Sequence, residues 1–284
     1  MGILNFASAG VDLPQMGEAH RLRPAHWFVL LLVLMFFIVD GIDMQILGVT
    51  VAAIAGDWKL PFSAFGAAMA AGHAGAALGA LLGGALGDRI GRRPVMIRGA
   101  LLFGALTFCM MFATAPSHLV VLRFLAGMGL GGCMPPGLAL LSECMPPRHR
   151  NFAVALAILC SPIGIAIAGV LASTLLPLYG WKAVFIIAGL LPVALALVLL
   201  PTLPESPRFL FKIGGRDAEA RRLIERFGLA DAVSEQVKPG DSSVTPFREI
   251  FGKGQLARSL SLFGVFFLCY LSTTMILSWL PALL

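Results

Sequence analysis

The amino-acid sequence predicts an all-α integral membrane protein, and two observations carry that reading. The chain has 284 residues, of which 58% are hydrophobic and 13% charged; a soluble domain has about 45–50% apolar and about 25% charged residues. The apolar residues are also gathered into long stretches, seven of which reach the roughly 20 residues that a helix needs to cross a bilayer. A soluble fold of this size could not hide so much apolar surface, so lipid is the expected solvent.

The seven expected spans are Trp27–Val49, Ala64–Leu86, Val95–Ala115, Leu119–Leu141, Phe152–Leu176, Ala183–Leu203 and Ser259–Leu280. Between them stand charge and turn chemistry: Asp57-Trp58-Lys59, Gly91-Arg92-Arg93-Pro94, Ala115-Pro116-Ser117-His118, Pro146-Pro147-Arg148 and Tyr179-Gly180-Trp181-Lys182. The net charge is +6, but its placement argues for topology rather than for a nucleic-acid surface. Arg21 and Arg23 precede span one, Arg89, Arg92, Arg93 and Arg98 follow span two, Arg148 and Arg150 follow span four, and ten more Lys and Arg separate spans six and seven. The other side holds only Lys59 and Lys182, while Arg123 lies inside span four. Basic residues on alternate gaps mark the cytoplasmic side, so the N-terminus is expected inside the cell.

The expected organisation is a cytoplasmic segment 1–26, a six-helix bundle 27–203, a cytoplasmic loop 204–258 and a seventh membrane helix 259–284. No cleavable signal peptide is expected, because the first apolar run is too long for one. Phe6 rules out N-myristoylation at Gly2. Cys109, Cys133, Cys144, Cys160 and Cys269 form no metal-binding spacing and read as packing residues, with no disulfide, metal or cofactor. No nucleophile–base set or phosphate-cradling loop points to an enzyme. In the polar stretch, Asp217 can cap a short helix that ends before Gly228 with Leu223, Ile224 and Phe227 on one side.

Four stretches carry chemistry. The first, Gly84-Ala85-Leu86-Gly87-Asp88-Arg89-Ile90-Gly91-Arg92-Arg93, joins spans two and three. Its glycines permit a tight turn, Asp88 can sit at the positive end of a neighbouring helix, and Arg92 can pair with Glu143 at the end of span four. Such contacts would latch one conformation. The second, Asp40-Gly41-Ile42-Asp43, puts two carboxylates three apart within span one, so they share a helix face. Acidic residues at that depth normally face a cavity and mark a proton or ion path. The third is Arg123 with Gly127 and Gly131 below it. Its guanidinium suits a substrate carboxylate, but could pair with Asp40 or Asp43, or snorkel outward near His118. The fourth is Gly75, Gly79, Gly83 and Gly87, a smooth packing face on span two, beside which His73 can relay protons or bond a neighbouring helix.

The first stretch resembles the G-x-L-x-D-R-x-G-R-R loop of the major facilitator superfamily, and Arg123 to Gly127 resembles its span-four R-x-x-x-G pattern. Asp40-Gly41-Ile42-Asp43 resembles the aromatic acid:proton symporters of that superfamily, as does Trp279-Leu280-Pro281 at the end of span seven. Pro204-Glu205-Ser206-Pro207-Arg208 is similar to a sequence shared by sugar and organic-acid porters. Ser161-Pro162-Ile163-Gly164 departs from the G-P-x-x-G-G of drug antiporters. The resemblance implies the N-terminal six-helix bundle of such a carrier plus a seventh transmembrane helix, the C-terminal half missing, the substrate site lying between halves. It further implies uptake of a small organic acid with protons across the inner membrane. Asp40 and Asp43 would couple protons, Arg123 and Asp43 would bind substrate, and Gly84, Asp88, Arg89, Gly91, Arg92, Arg93 and Glu143 would form the latch. A sugar or polyol porter, or a truncated protein that transports nothing, are the alternatives. The span-seven residues Tyr270, Thr273 and Thr274 could reach the central cavity.

Overall fold

The computed structural model describes residues 22–213, 217–228, 256–262, 264–265, 268–269 and 272. Among them there is no strand; the chain is all-helical, as the sequence predicts. The helices are α1 (Pro24–Trp58), α2 (Gly66–Ile90), α3 (Arg92–Cys109), α4 (Pro116–Cys144), α5 (Pro147–Thr202), α6 (Pro207–Ile213) and α7 (Asp217–Phe227). Short 3₁₀ turns, Phe62–Phe65 and Met110–Phe112, precede α2 and follow α3. The described residues of the seventh expected span are helical. Its Tyr270, Thr273, Thr274 and Trp279-Leu280-Pro281 lie outside the described residues, as do residues 1–21 of the first segment and 229–255 of the loop.

Helices are the expected solution because lipid offers backbone groups no hydrogen bonds, and a helix satisfies its own. Proline opens α1, α4 and α5, where its missing N–H costs nothing. The helices α1 to α5 are each long and apolar enough to cross a membrane. Spans five and six are two helices, as expected: they meet at Gly180, whose φ of 72° and ψ of 178° are not helical and re-aim the chain, so the range of α5 holds both. Large apolar side chains such as Leu81, Phe152, Leu159 and Val170 point outward, as in a protein solvated by lipid. The chain is a multi-pass membrane protein.

The bundle is assembled from close pairs: α2 on α4, α1 on α5, and α3 against both α4 and α5. The first pair is a reciprocal glycine zipper. A Cβ on Gly75, Gly79 or Gly83 would run into the carbonyls of Phe124, Met128 and Gly132, and one on Gly127 or Gly131 into those of Gly72 and Ala76. The packing face expected on span two is therefore half of a two-sided contact. The second pair repeats the device: Gly41 abuts the carbonyl of Ser161, and Gly164 that of Ile38. Gly41 thus serves packing, and α1 passes through it unbroken.

At the end away from the arginine-rich loops, Trp181 meets Trp58 and Phe185 edge to face, Trp58 lies tilted against Phe65, and the Trp181 indole donates to Asp57 Oδ2 at 3.1 Å. At the basic end, α7 runs from Asp217 to Phe227 and turns at Gly228, as expected. Phe227 is buried against the His26 ring, which ties α7 to the start of α1.

Candidate functional site

Two polar clusters interrupt the apolar interior. The deeper one is built on α1. Asp40 and Asp43 are 1% and 2% exposed. Their three-residue offset turns them about 60° apart around the helix axis, enough to send them to different neighbours. Asp40 faces α5, where Ser161 Oγ donates to its Oδ2 at 3.2 Å. Its Oδ1 is buried and has no hydrogen-bond partner among the described residues. Asp43 faces α3 and α4. Arg123 Nη1 lies 3.1 Å from Asp43 Oδ2 and 3.1 Å from its backbone carbonyl, and Nη2 donates to Met44 O at 3.4 Å. Thr107 Oγ1 donates to Asp43 Oδ1 at 2.5 Å.

Of the arrangements open to Arg123, the structure has the pair with Asp43. The side chain is 8% exposed and does not reach the outer surface. The two carboxylates do not line a common space. A narrow crevice is lined by Asp43, Arg123, Met44, Gly72, His73 and Gly127, and Asp40 is not part of it. His73 holds the carbonyl of Met69 one turn back, at 2.9 Å. Gly127 matters here because a Cβ on it would strike the carbonyl of Gly72, so its missing side chain lets α2 and α4 approach beside the guanidinium.

The second cluster lies at the basic end. Arg92 Nη2 pairs with Glu143 Oε1 at 3.0 Å and with Asp88 Oδ1 at 3.1 Å. The Glu143 pairing expected from the sequence is therefore present. Asp88 is not at a helix N-terminus; it closes the last turn of α2, four residues before Arg92. The carboxylate at the start of α3 is Glu205. Its Oε1 accepts the backbone N–H groups of Arg92 and Arg93, at 3.0 and 3.2 Å, and of Ser206, at 2.9 Å. Ser206 Oγ bonds Glu143 Oε2, which closes a ring of contacts linking α2, α3, α4 and the segment before α6. Gly91 has φ of 104°, and a Cβ there would strike the Glu205 carboxylate, so glycine is required twice over. Arg93 reaches the carbonyl of Leu200. Arg89 is exposed, and a Cβ added at Gly84 would make only ordinary contact with Pro135.

Sequence reasoning missed four of these residues. Thr107 and Ser161 are hydroxyls within apolar spans, where they ordinarily bond their own helix. Glu205 and Ser206 were named only for a resemblance, which assigned them no partner on α3 or α4.

A family description, the Major Facilitator Superfamily, matches residues 31–284. The 4-hydroxybenzoate transporter PcaK of Pseudomonas aeruginosa is 33% identical over 284 residues, 96% of this chain and 62% of that protein. The gallate transporter of Pseudomonas putida is 33% identical over 290 residues, with 97% and 62% covered. The chain thus spans 62% of the length of both relatives. The xylose transporter XylE of E. coli, in a partially occluded inward-open conformation, superposes with a TM-score of 0.66 at 19% identity, over 75% of this chain and 57% of that one. At that identity the likeness concerns the fold alone.

Proposed function

The chain belongs to the Major Facilitator Superfamily, and from that membership we propose that it carries a small aromatic carboxylate into the cell by proton symport. The relatives named for 4-hydroxybenzoate and gallate transport support the substrate class. The observation that carries the mechanism is the buried Asp43–Arg123 ion pair.

An anion entering a negative interior works against about 2.3 kcal/mol per 100 mV. One proton cancels that charge, and a second lets the membrane potential drive uptake. Asp43 keeps Arg123 occupied while it is ionised. A proton on Asp43 removes the counter-charge and frees the planar guanidinium for the carboxylate of the substrate. Asp40, three residues away and without a cationic partner among the described residues, is the second proton-accepting group. Loss of the proton towards the cell interior restores the Asp43–Arg123 pair and expels the anion.

In this reading residues 27–203 form the first six-helix bundle and residues 259–284 begin the second. The segments 1–26 and 204–258 lie in the cytoplasm, and the membrane is the inner one. Gly84, Asp88, Arg89, Gly91, Arg92, Arg93 and Glu143, together with Glu205 and Ser206, form the latch that holds one conformation. The test is uptake of labelled 4-hydroxybenzoate into liposomes containing the carrier, with an imposed inside-alkaline pH gradient. Accumulation that follows the gradient and is lost in Asp43→Asn supports symport. Uptake indifferent to the gradient, or unchanged in Asp43→Asn, overturns it.

A further inference from the structure

A hydroxyl inside a membrane helix normally donates to a carbonyl of its own preceding turn. Most helical hydroxyls among the described residues do so: Thr50 to Ile46 at 2.7 Å, Ser142 to Ala139 at 2.8 Å, Ser173 and Thr174 to Val170 at 2.9 Å, and Ser261 to Ala257 at 2.8 Å. Thr107 departs from this habit. Its hydroxyl crosses from α3 to α1 and donates to Asp43 Oδ1 at 2.5 Å, and the residue is fully buried. The register of α3 is fixed by close backbone contact, since a Cβ on Gly104 would meet the carbonyl of Gly189 and one on Gly189 would meet the backbone of Phe108. The hydroxyl is held where the carboxylate needs it.

We infer that Thr107 is a positioning residue for the Asp43 switch, setting how firmly the carboxylate holds Arg123. The inference rests on the reading of the Asp43–Arg123 pair given above. An ionised carboxylate only accepts hydrogen bonds. Here its two oxygens are divided: Oδ2 takes the guanidinium and Oδ1 takes the Thr107 hydroxyl. That division keeps the carboxylate plane fixed and gives each oxygen a donor. When Asp43 takes up a proton it must donate from one oxygen. A threonine hydroxyl can rotate to accept as well as to donate, so Thr107 has a bond to offer in both protonation states, but the bond to the ionised carboxylate is charge-assisted and the stronger of the two, which favours the paired state. Valine has the same shape and serves neither, whereas serine serves both.

Two consequences separate this role from simple packing. Without the hydroxyl, Asp43 holds Arg123 less firmly, and the substrate anion captures the guanidinium more easily. The return of Asp43 to its paired state is also disfavoured, so the step that resets the carrier slows. Thr107→Val therefore lowers both KM and turnover, KM by a factor of roughly 3 to 10 and turnover on the order of tenfold. A packing lesion would lower the amount of active carrier and leave KM where it was.

The experiment is proton-driven uptake of 4-hydroxybenzoate by the whole carrier in liposomes, normalised to reconstituted protein. The variants compared are Thr107→Val, Thr107→Ser and Asp43→Asn. The expected result is a joint fall of KM and turnover in Thr107→Val, with both restored in Thr107→Ser. Should the valine variant not fold, Thr107→Ala carries the same expectation. An unchanged KM in the variant lacking the hydroxyl, or equal impairment of valine and serine variants, overturns the inference. Asp43→Asn separates the two claims. If it loses coupling while Thr107→Val behaves as wild type, only the role of Thr107 falls. If it transports as wild type does, the coupling reading falls and takes this inference with it.

Discussion

Glu205 caps the start of α3 from more than a hundred residues away, accepting the backbone N–H of Arg92 at 3.0 Å. A helix N-terminus leaves its first N–H groups without intrahelical partners, and a carboxylate there answers both their hydrogen bonding and the helix dipole. Glu205 is 7% exposed and accepts from two such groups on α3 and from the N–H of Ser206.

Removing that acceptor strands buried donors. Glu205→Ala is expected to cost about 1–3 kcal/mol, seen as a melting temperature lower by several degrees in detergent. Glu205→Gln keeps an acceptor oxygen and loses only the charge, so its cost is expected below about 1 kcal/mol. Equal melting of the two variants would show that charge, not acceptance, fixes the cap.

The two carboxylates on Arg92 are unequal. Asp88 is 57% exposed, whereas Glu143 is 12% exposed and also bonds Ser206. An exposed pair spaced i,i+4 contributes about 0.3–0.5 kcal/mol, while a shielded charged hydrogen bond contributes about 1.5–3 kcal/mol. Asp88→Ala is therefore expected to melt within a degree or two of wild type, and Glu143→Ala clearly below it. If Asp88 has a larger role, it lies in a conformation other than this one, and cross-linking rates between α2 and α4 ends, rather than melting, would report it.

The reach of sequence reasoning follows the range of each interaction. Composition and apolar run length decide the solvent, so the helices were legible, as was the glycine spacing that forms the α2–α4 contact. The Arg92–Glu143 pair was legible because a basic loop faces the end of span four. Other features depend on rotation about the helix axis. The divergence of Asp40 towards Ser161 and of Asp43 towards Thr107 is set by how α1 is turned against α3 and α5, which no spacing encodes. The cap on α3 escaped for a similar reason: a carboxylate before one helix can serve another. The break between spans five and six was legible from Gly180, which takes the positive φ that glycine allows.

The zipper between α2 and α4 gives a prediction with an internal control. A Cβ at Gly131 has nowhere to go, because the obstacle is the backbone of Ala76 rather than a movable side chain. Gly131→Ala is expected to destabilise by about 1–3 kcal/mol through overpacking. Gly169 also lies within a helix, but a Cβ added there would meet no neighbouring atom within 4 Å. There Gly169→Ala is expected to be neutral or to stabilise by about 0.5–1 kcal/mol, the ordinary helix preference for alanine. Melting curves of the two variants should move in opposite directions. A shared direction would mean that the close contact of α2 and α4 is absent from the folded protein.

Asp40 and Asp43 differ in what each would leave behind. Asp43→Asn removes the counter-charge from Arg123, whose side chain is only 8% exposed. Breaking a buried ion pair from one side costs about 3–5 kcal/mol, because the remaining charge stays desolvated. Asp40→Asn leaves no orphaned cation, since the group that meets this carboxylate is the Ser161 hydroxyl, whose hydrogen bond an amide oxygen can still accept. Its cost is expected below about 1 kcal/mol. Both substitutions are expected to abolish uptake driven by a pH gradient, because neither amide can take up and release a proton. The Asp40 variant should therefore be a stable carrier that no longer couples, and the Asp43 variant an unstable one. Adding Arg123→Gln to Asp43→Asn should recover most of the lost stability by removing the stranded charge, and none of the coupling. A double variant that melts no higher than Asp43→Asn alone would rule out the ion pair as the source of the loss.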